Sequence, residues 1–211
     1  MAAVTTAAVT TAAVATAVYG KSVQPKGTAP AIVLVDPKYA HNVAAAVRAA
    51  SCYGLKQVWY SGNRVQMEID AKRRMPREER MRGYAEVELR QCDYIFDHFP
   101  NATPVAVELR PNAQSLLDFQ HPENPLYVFG PEDGGLQRNT LMHCHQFVVI
   151  PTFHCLNLAT AIATVLYDRL LKRVMAGLQE RLPIGEMLKE DRFWTNFNET
   201  NTGLVDSKER E

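Results

Sequence analysis

From Ala31 to Met175, short apolar runs rich in β-branched residues alternate with alanine- and leucine-rich stretches of helical length. Nothing else in the chain limits its fold as strongly. Apolar runs this short have the length of strands buried on both faces, and strands separated by helices build a largely parallel sheet. Ala31–Val35 (AIVLV), bounded by Pro30 and Pro37, is the first expected strand. Asn42–Cys52 follows as a helix, with Gly54 as its stop. Gln57–Tyr60, Asp93–Phe96, Pro104–Glu108, Pro125–Phe129 and Phe147–Ile150 are the remaining expected strands. Leu156–Met175 is the longest helical segment and runs to about Gly177. Beyond the break at Leu182-Pro183-Ile184-Gly185, Glu186–Phe197 is expected as a short helix carrying Phe193 and Trp194. The fold class is therefore α/β with a mostly parallel sheet.

Composition narrows the class further. With 46% hydrophobic residues in 211, the chain is not a disordered one, and it is long enough for one main domain with tails. No apolar run reaches the roughly 18 residues of a membrane span. Lys and Arg number 23 against 23 Asp and Glu, which argues against a uniformly basic nucleic-acid coat but leaves room for a local patch. Residues 2–16 repeat AAVTT, AAVTT, AAVAT with no basic residue before them. A tail is expected there rather than a secretory signal. The expected organisation is a tail and linker over 1–30, the main domain over 31–182 and a C-terminal extension over 183–211. Cys52, Cys92, Cys144 and Cys155 form no C-x-x-C pair and are expected to be reduced thiols, which points to a cytoplasmic protein.

Ligands of parallel α/β folds sit beyond the carboxyl ends of strands, so the loops after Val35, Phe129 and Ile150 are the candidate sites. The first leads into Asn42, a residue suited to capping a helix, and Arg48 follows at about 120° around that helix. Taken alone, these are a cap and a surface arginine. The second, Gly130-Pro131-Glu132-Asp133-Gly134-Gly135-Leu136, has glycines that permit close backbone approach to a ligand, or simply a turn. It is neither a G-x-G-x-x-G fingerprint nor a Walker loop. The third, Ile150-Pro151-Thr152-Phe153-His154-Cys155-Leu156-Asn157, ends on an amide that can both donate and accept at a helix start.

Together, in this order, the three loops resemble the motifs of the SpoU (TrmH-like) branch of the SPOUT methyltransferases. Asn42 and Arg48 match an N-x-x-x-x-x-R motif. Gly130, Glu132, Gly135 and Leu136 match G-x-E-x-x-G-L. Ile150, Pro151, Leu156 and Asn157 match I-P followed by S-L-N. The resemblance covers residues 31–172 or so. It implies a SPOUT-type parallel sheet with helices on both faces and a C-terminal trefoil knot, a homodimer, and transfer of a methyl group from S-adenosyl-L-methionine to a ribose 2′-hydroxyl of tRNA or rRNA. By the same resemblance Arg48, Asn42, Glu132 and Asn157 would be the catalytic set. Arg48 would contact the hydroxyl, Asn42 would orient it or the loop, Glu132 would brace the second loop and pair with an arginine such as Arg48, and Asn157 would anchor the third loop. Phe129, Gly130, Pro131, Ile150, Thr152, Cys155, Leu156 and Asn157 would hold the cofactor, and no metal would be needed. Cys155 stands where the family has serine, and the third loop is short. A second reading, a SPOUT-like module that binds RNA or cofactor without turnover, rests on those two departures.

Lys72, Arg73, Arg74, Arg77, Arg80 and Arg82 lie within eleven residues that also hold Glu78 and Glu79. The stretch is either a solvated charged face or a phosphate-binding patch, and the resemblance favours RNA. His143, Cys144, His145, His154 and Cys155 cluster in sequence, but their spacing does not make a closed zinc set.

Overall fold

A computed structural model describes residues 27–66 and 84–181 of the chain. The N-terminal repeat, the basic stretch Lys72–Arg82 and the helix expected over Glu186–Phe197 lie outside the described residues. In chain order the elements are β1 (Ala31–Leu34), α1 (Ala40–Cys52), β2 (Gln57–Tyr60), β3 (Glu88–Gln91), β4 (Thr103–Val107), β5 (Gln114–Ser115), β6 (Pro125–Phe129), α2 (Arg138–Leu141), β7 (Gln146–Val149) and α3 (Leu158–Met175). The strands form one sheet ordered β3-β2-β1-β6-β4-β7-β5, and every paired neighbour runs parallel. The central pair is β1 and β6, with Ile32 opposite Tyr127 and Leu34 opposite Phe129. All residues of β1, β2 and β6 are buried, as strands covered on both faces must be.

Successive side chains of a strand point to opposite faces, and the core divides accordingly. Ile32, Leu34, Val58 and Tyr60 pack with Val43, Val47 and Ala50 of α1 and with Leu158, Ile162 and Val165 at the start of α3. Ala31, Val33, Trp59 and Val128 pack instead with Ile95, Phe99, Leu136 and Cys144. The first face is thus covered by two regular helices, the second by short helical turns and the segment that contains α2.

The structure differs from the sequence expectations at one strand, at the sheet's edges and at two helix starts. Asp93–Phe96 is not a strand: the place beside β2 is taken by Glu88–Gln91, with Gln57 opposite Glu88, and a 3-10 turn follows over Ile95–His98. The DYIF run is apolar because Ile95 closes the second core face, while Tyr94 is exposed. The strand itself (ELRQ) is a half-exposed edge, polar enough to carry no apolar signal. The two-residue edge strand β5 was likewise not expected. Both helices shift by two residues, α1 beginning earlier and α3 later than the composition implies. Gly54 ends α1 as expected, at φ 75°, with Leu55 N–H donating to Ala50 O at 2.9 Å. This left-handed stop is one that glycine adopts without the cost of a Cβ.

The chain divides into two compact units, Met1–Tyr167 and Asp168–Glu211. In the second, the described residues hold the end of α3, a Lys172–Asp168 pair at 2.7 Å and a turn in which Leu178 N–H donates to Arg173 O at 2.9 Å.

Candidate active site

The loops that leave β1, β6 and β7 converge on one cleft of about 740 Å3. That volume lies within the ~300–1,000 Å3 usual for small-molecule sites. Each loop is bonded to the next. Glu132 of the second loop accepts the Lys38 backbone N–H through Oε2 at 2.7 Å and the Asn42 side-chain amide through Oε1 at 2.6 Å. Asn42 Oδ1 in turn accepts from Asn157 Nδ2 at 3.3 Å. Asn157 Oδ1 accepts the Ala159 N–H at 2.9 Å and so caps α3. One continuous chain of bonds therefore ties the three motif residues together, its first links strengthened by the carboxylate charge.

Asn42 is only 2% exposed. It does not cap α1. The helix begins at Ala40, so Asn42 falls inside its first turn, and the cap position, Tyr39, makes no side-chain capping bond. The amide is free to cross to the other loops.

Glu132 does not pair with Arg48. Both of its oxygens are engaged by Asn42 and Lys38. Arg48 lies further along α1, is exposed and is not among the residues lining the cleft. The cleft is lined by the other sequence candidates: Asn42, Phe129, Gly130, Pro131, Glu132, Ile150, Thr152, Cys155, Leu156 and Asn157. Lys72, Arg73, Arg74, Arg77, Arg80 and Arg82 lie outside the described residues.

Three further residues shape the site without a motif to announce them. Arg64, after β2, clasps Asp133 of the second loop through both nitrogens, at 3.0 and 2.8 Å. Lys38 of the first loop adds a third contact at 3.3 Å. The Arg64 guanidinium, helped by Lys38, holds the Asp133 carboxyl well below the usual carboxylate range. Glu108, just beyond β4, accepts the Leu136 N–H at 2.8 Å and the Leu109 N–H at 3.0 Å. The second loop is thus held at both ends. It is also tight: a Cβ on Gly130 would come within 3.1 Å of the Leu136 nitrogen, and one on Gly135 within 3.2 Å of Glu108 Oε2. Glu108 ends an apolar run, and only that lone acid marked it in the sequence.

The histidine and cysteine cluster disperses. His143 stacks on Phe96 with ring centres 4.6 Å apart, and burial pushes the Cys144 thiol up to about 11. All four cysteines are unpaired. Among the described residues, no group of His, Cys, Asp and Glu could hold a metal ion, and no helix is long and apolar enough to cross a membrane.

The sequence model of the SpoU rRNA Methylase family matches residues 29–167, the segment that carries the sheet and all three loops. The chain belongs to that family. A curated relative, tRNA (cytidine-2′-O-)-methyltransferase TrmJ of Methanocaldococcus jannaschii, is 24% identical over 198 residues, covering 85% of this chain and 83% of its own. Among solved structures, the A. aeolicus TrmH/SpoU tRNA modifying enzyme superposes with a TM-score of 0.61 at 16% identity, over 85% of this chain and 92% of the other. The SpoU methyltransferase AviRb from Streptomyces viridochromogenes, solved in complex with the cofactor AdoMet, gives a TM-score of 0.57 at 19% identity. That match covers 69% of this chain and 60% of AviRb. These structural likenesses show a shared SpoU-type α/β fold.

The cleft suits such a cofactor on its own geometry. It is lined by apolar side chains, from Phe129, Val149, Ile150, Leu158 and Ala161, and by loop residues that include Gly130 and Gly134. A flat heterocycle needs the first, and fixed amide and carbonyl groups on the second can orient its polar edge.

Proposed function

We propose that this chain methylates the 2′-hydroxyl of a ribose in tRNA or rRNA, in the cleft between the SpoU loops. It is an S-adenosylmethionine-dependent RNA methyltransferase. The observation that carries the reading is the bonded chain Glu132–Asn42–Asn157, which joins three motifs distant in sequence around one cleft of cofactor size.

S-adenosylmethionine, when bound, supplies an electrophilic methyl group on a sulfonium, so the chemistry needs no metal. Phe129, Gly130, Pro131, Ile150, Thr152, Cys155, Leu156 and Asn157 would hold it. The protein's part is to position and to stabilise charge. A ribose hydroxyl is a poor nucleophile until its proton leaves or its developing charge is met by a cation. Arg48, which stays protonated in proteins, is the residue we assign to that charge. Asn42, Glu132 and Asn157 keep the loops in place.

Arg48 is exposed and does not line its own chain's cleft. This supports a homodimer in which the cleft and an arginine come together across the interface. Phe153, fully exposed on the third loop beside the cleft, supports an apolar contact there. The reading also includes the C-terminal trefoil knot of the family, RNA contacts from Lys72, Arg73, Arg74, Arg77, Arg80 and Arg82, and a cytoplasmic location, which the four unpaired thiols support.

Calorimetric titration with S-adenosylhomocysteine should show saturable binding near one site per chain, and labelled methyl groups should enter RNA. Arg48→Ala should keep that binding and lose methyl transfer by about two orders of magnitude or more, as for loss of a charge-stabilising donor. Cofactor binding with no transfer to any RNA tested would favour the binding module. Full activity in Arg48→Ala would remove Arg48 from the reaction.

A further inference from the structure

A second groove, of about 440 Å3, is lined by Arg110, Arg138, Leu141, Met142 and Phe147. We propose that it binds a phosphodiester of the substrate RNA beside the methylated nucleotide, with the attached base lying on the apolar wall. The proposal rests on the RNA methyltransferase reading and adds a place on the protein where the substrate is gripped.

Three observations carry it. First, the groove is cationic without compensation: neither arginine makes an ion pair among the described residues, and Arg110 Nε is buried with no hydrogen-bond partner. A buried guanidinium N–H left without an acceptor is costly, and an incoming phosphate oxygen would satisfy it. Second, the arginines flank apolar surface. The Arg110 guanidinium lies over the Phe147 ring at 5.4 Å, and Met142 is 74% exposed. Charge beside a flat apolar wall suits a nucleotide, whose base has a face for stacking and whose phosphate pairs with arginine. Third, short chain links join the groove's two arginines to residues of the cleft and its second loop. Arg110 directly follows Leu109, which lines the cleft, and Arg138 lies two residues after Leu136, whose N–H is held by the cleft-lining Glu108. In a chain with as many acidic as basic residues overall, two arginines that line one groove and make no ion pair among the described residues are a directed feature and not part of a general positive field.

The test uses the full-length protein, a short fluorescein-labelled oligouridylate and S-adenosylhomocysteine. Arg138→Ala removes an exposed side chain, and Arg110→Lys keeps the charge while losing the planar fork, so both variants should fold. Each is expected to weaken oligouridylate binding by about three- to tenfold and leave S-adenosylhomocysteine affinity unchanged. Arg138→Ala should also flatten the slope of log affinity against log salt by about 0.7, the value for one phosphate contact on a single strand. Wild-type affinity and salt slope in both variants would overturn the groove while leaving the methyltransferase reading intact. The same holds if wild-type protein binds S-adenosylhomocysteine but no oligouridylate at low salt. A protein that binds neither would sink both readings. If an acidic peptide of matched charge binds in an Arg138-dependent way and oligouridylate does not, the groove is a protein-docking site instead.

Discussion

Asn42 shows how much one amide can do in this protein. Its Nδ2 donates to a carboxylate and its Oδ1 accepts from a second amide, so both ends of the group are used. Neither aspartate, which cannot donate when ionised, nor alanine reproduces that polarity. Asn42→Ala leaves Glu132 and Asn157 each short of a partner in a part-buried place. It should cost about 1–3 kcal/mol of stability and weaken S-adenosylhomocysteine binding, which chemical denaturation and calorimetry would measure separately. Unchanged values in both would mean that the bonded chain does not hold the loops. Asn42 was legible in the sequence as a motif residue expected to orient Arg48 or the loop, but its bonding partners were not. A cap was the local expectation, and a two-residue shift in where the helix starts removes that role and frees the side chain. Arg64 was invisible for a related reason: a lone arginine after a strand has no local pattern, and its partner Asp133 is distant in sequence.

The strands were legible where they are buried on both faces, because burial forces a continuous apolar run there. β1, β2 and β6 follow that rule. β3 and β5 sit at the sheet's two edges, where half the side chains face water and polar residues are allowed. Nothing in their composition marks them as strands. The loops depend on bonds from elements remote in sequence. Glu108, just beyond β4, holds the loop after β6 through the Leu136 N–H. Glu108→Leu keeps the size and removes both acceptors, so Leu109 and Leu136 lose their bonds. We expect a loss of about 1–3 kcal/mol and faster amide exchange from Gly134 to Leu136, with Glu108→Gln intermediate because its one carbonyl oxygen can accept one of the two bonds. Exchange rates at those amides equal to wild type would show that the loop keeps its shape without Glu108.

For the whole molecule, the proposed homodimer is the most consequential expectation, since Arg48 does not line the cleft of its own chain. Sedimentation equilibrium at micromolar concentration should give about twice the chain mass of 23.7 kDa. A clean monomer that still methylates RNA would refute the shared site.

Fold class, strand count at the centre of the sheet and the three cleft-lining loops follow from residue order, because burial period and loop motifs are local properties. The bonding of those loops, the partners of Asn42, the Arg64–Asp133 clasp and the Arg110–Arg138 groove do not. Each joins residues that only the parallel sheet brings side by side, at strand ends that are neighbours in space and far apart along the chain.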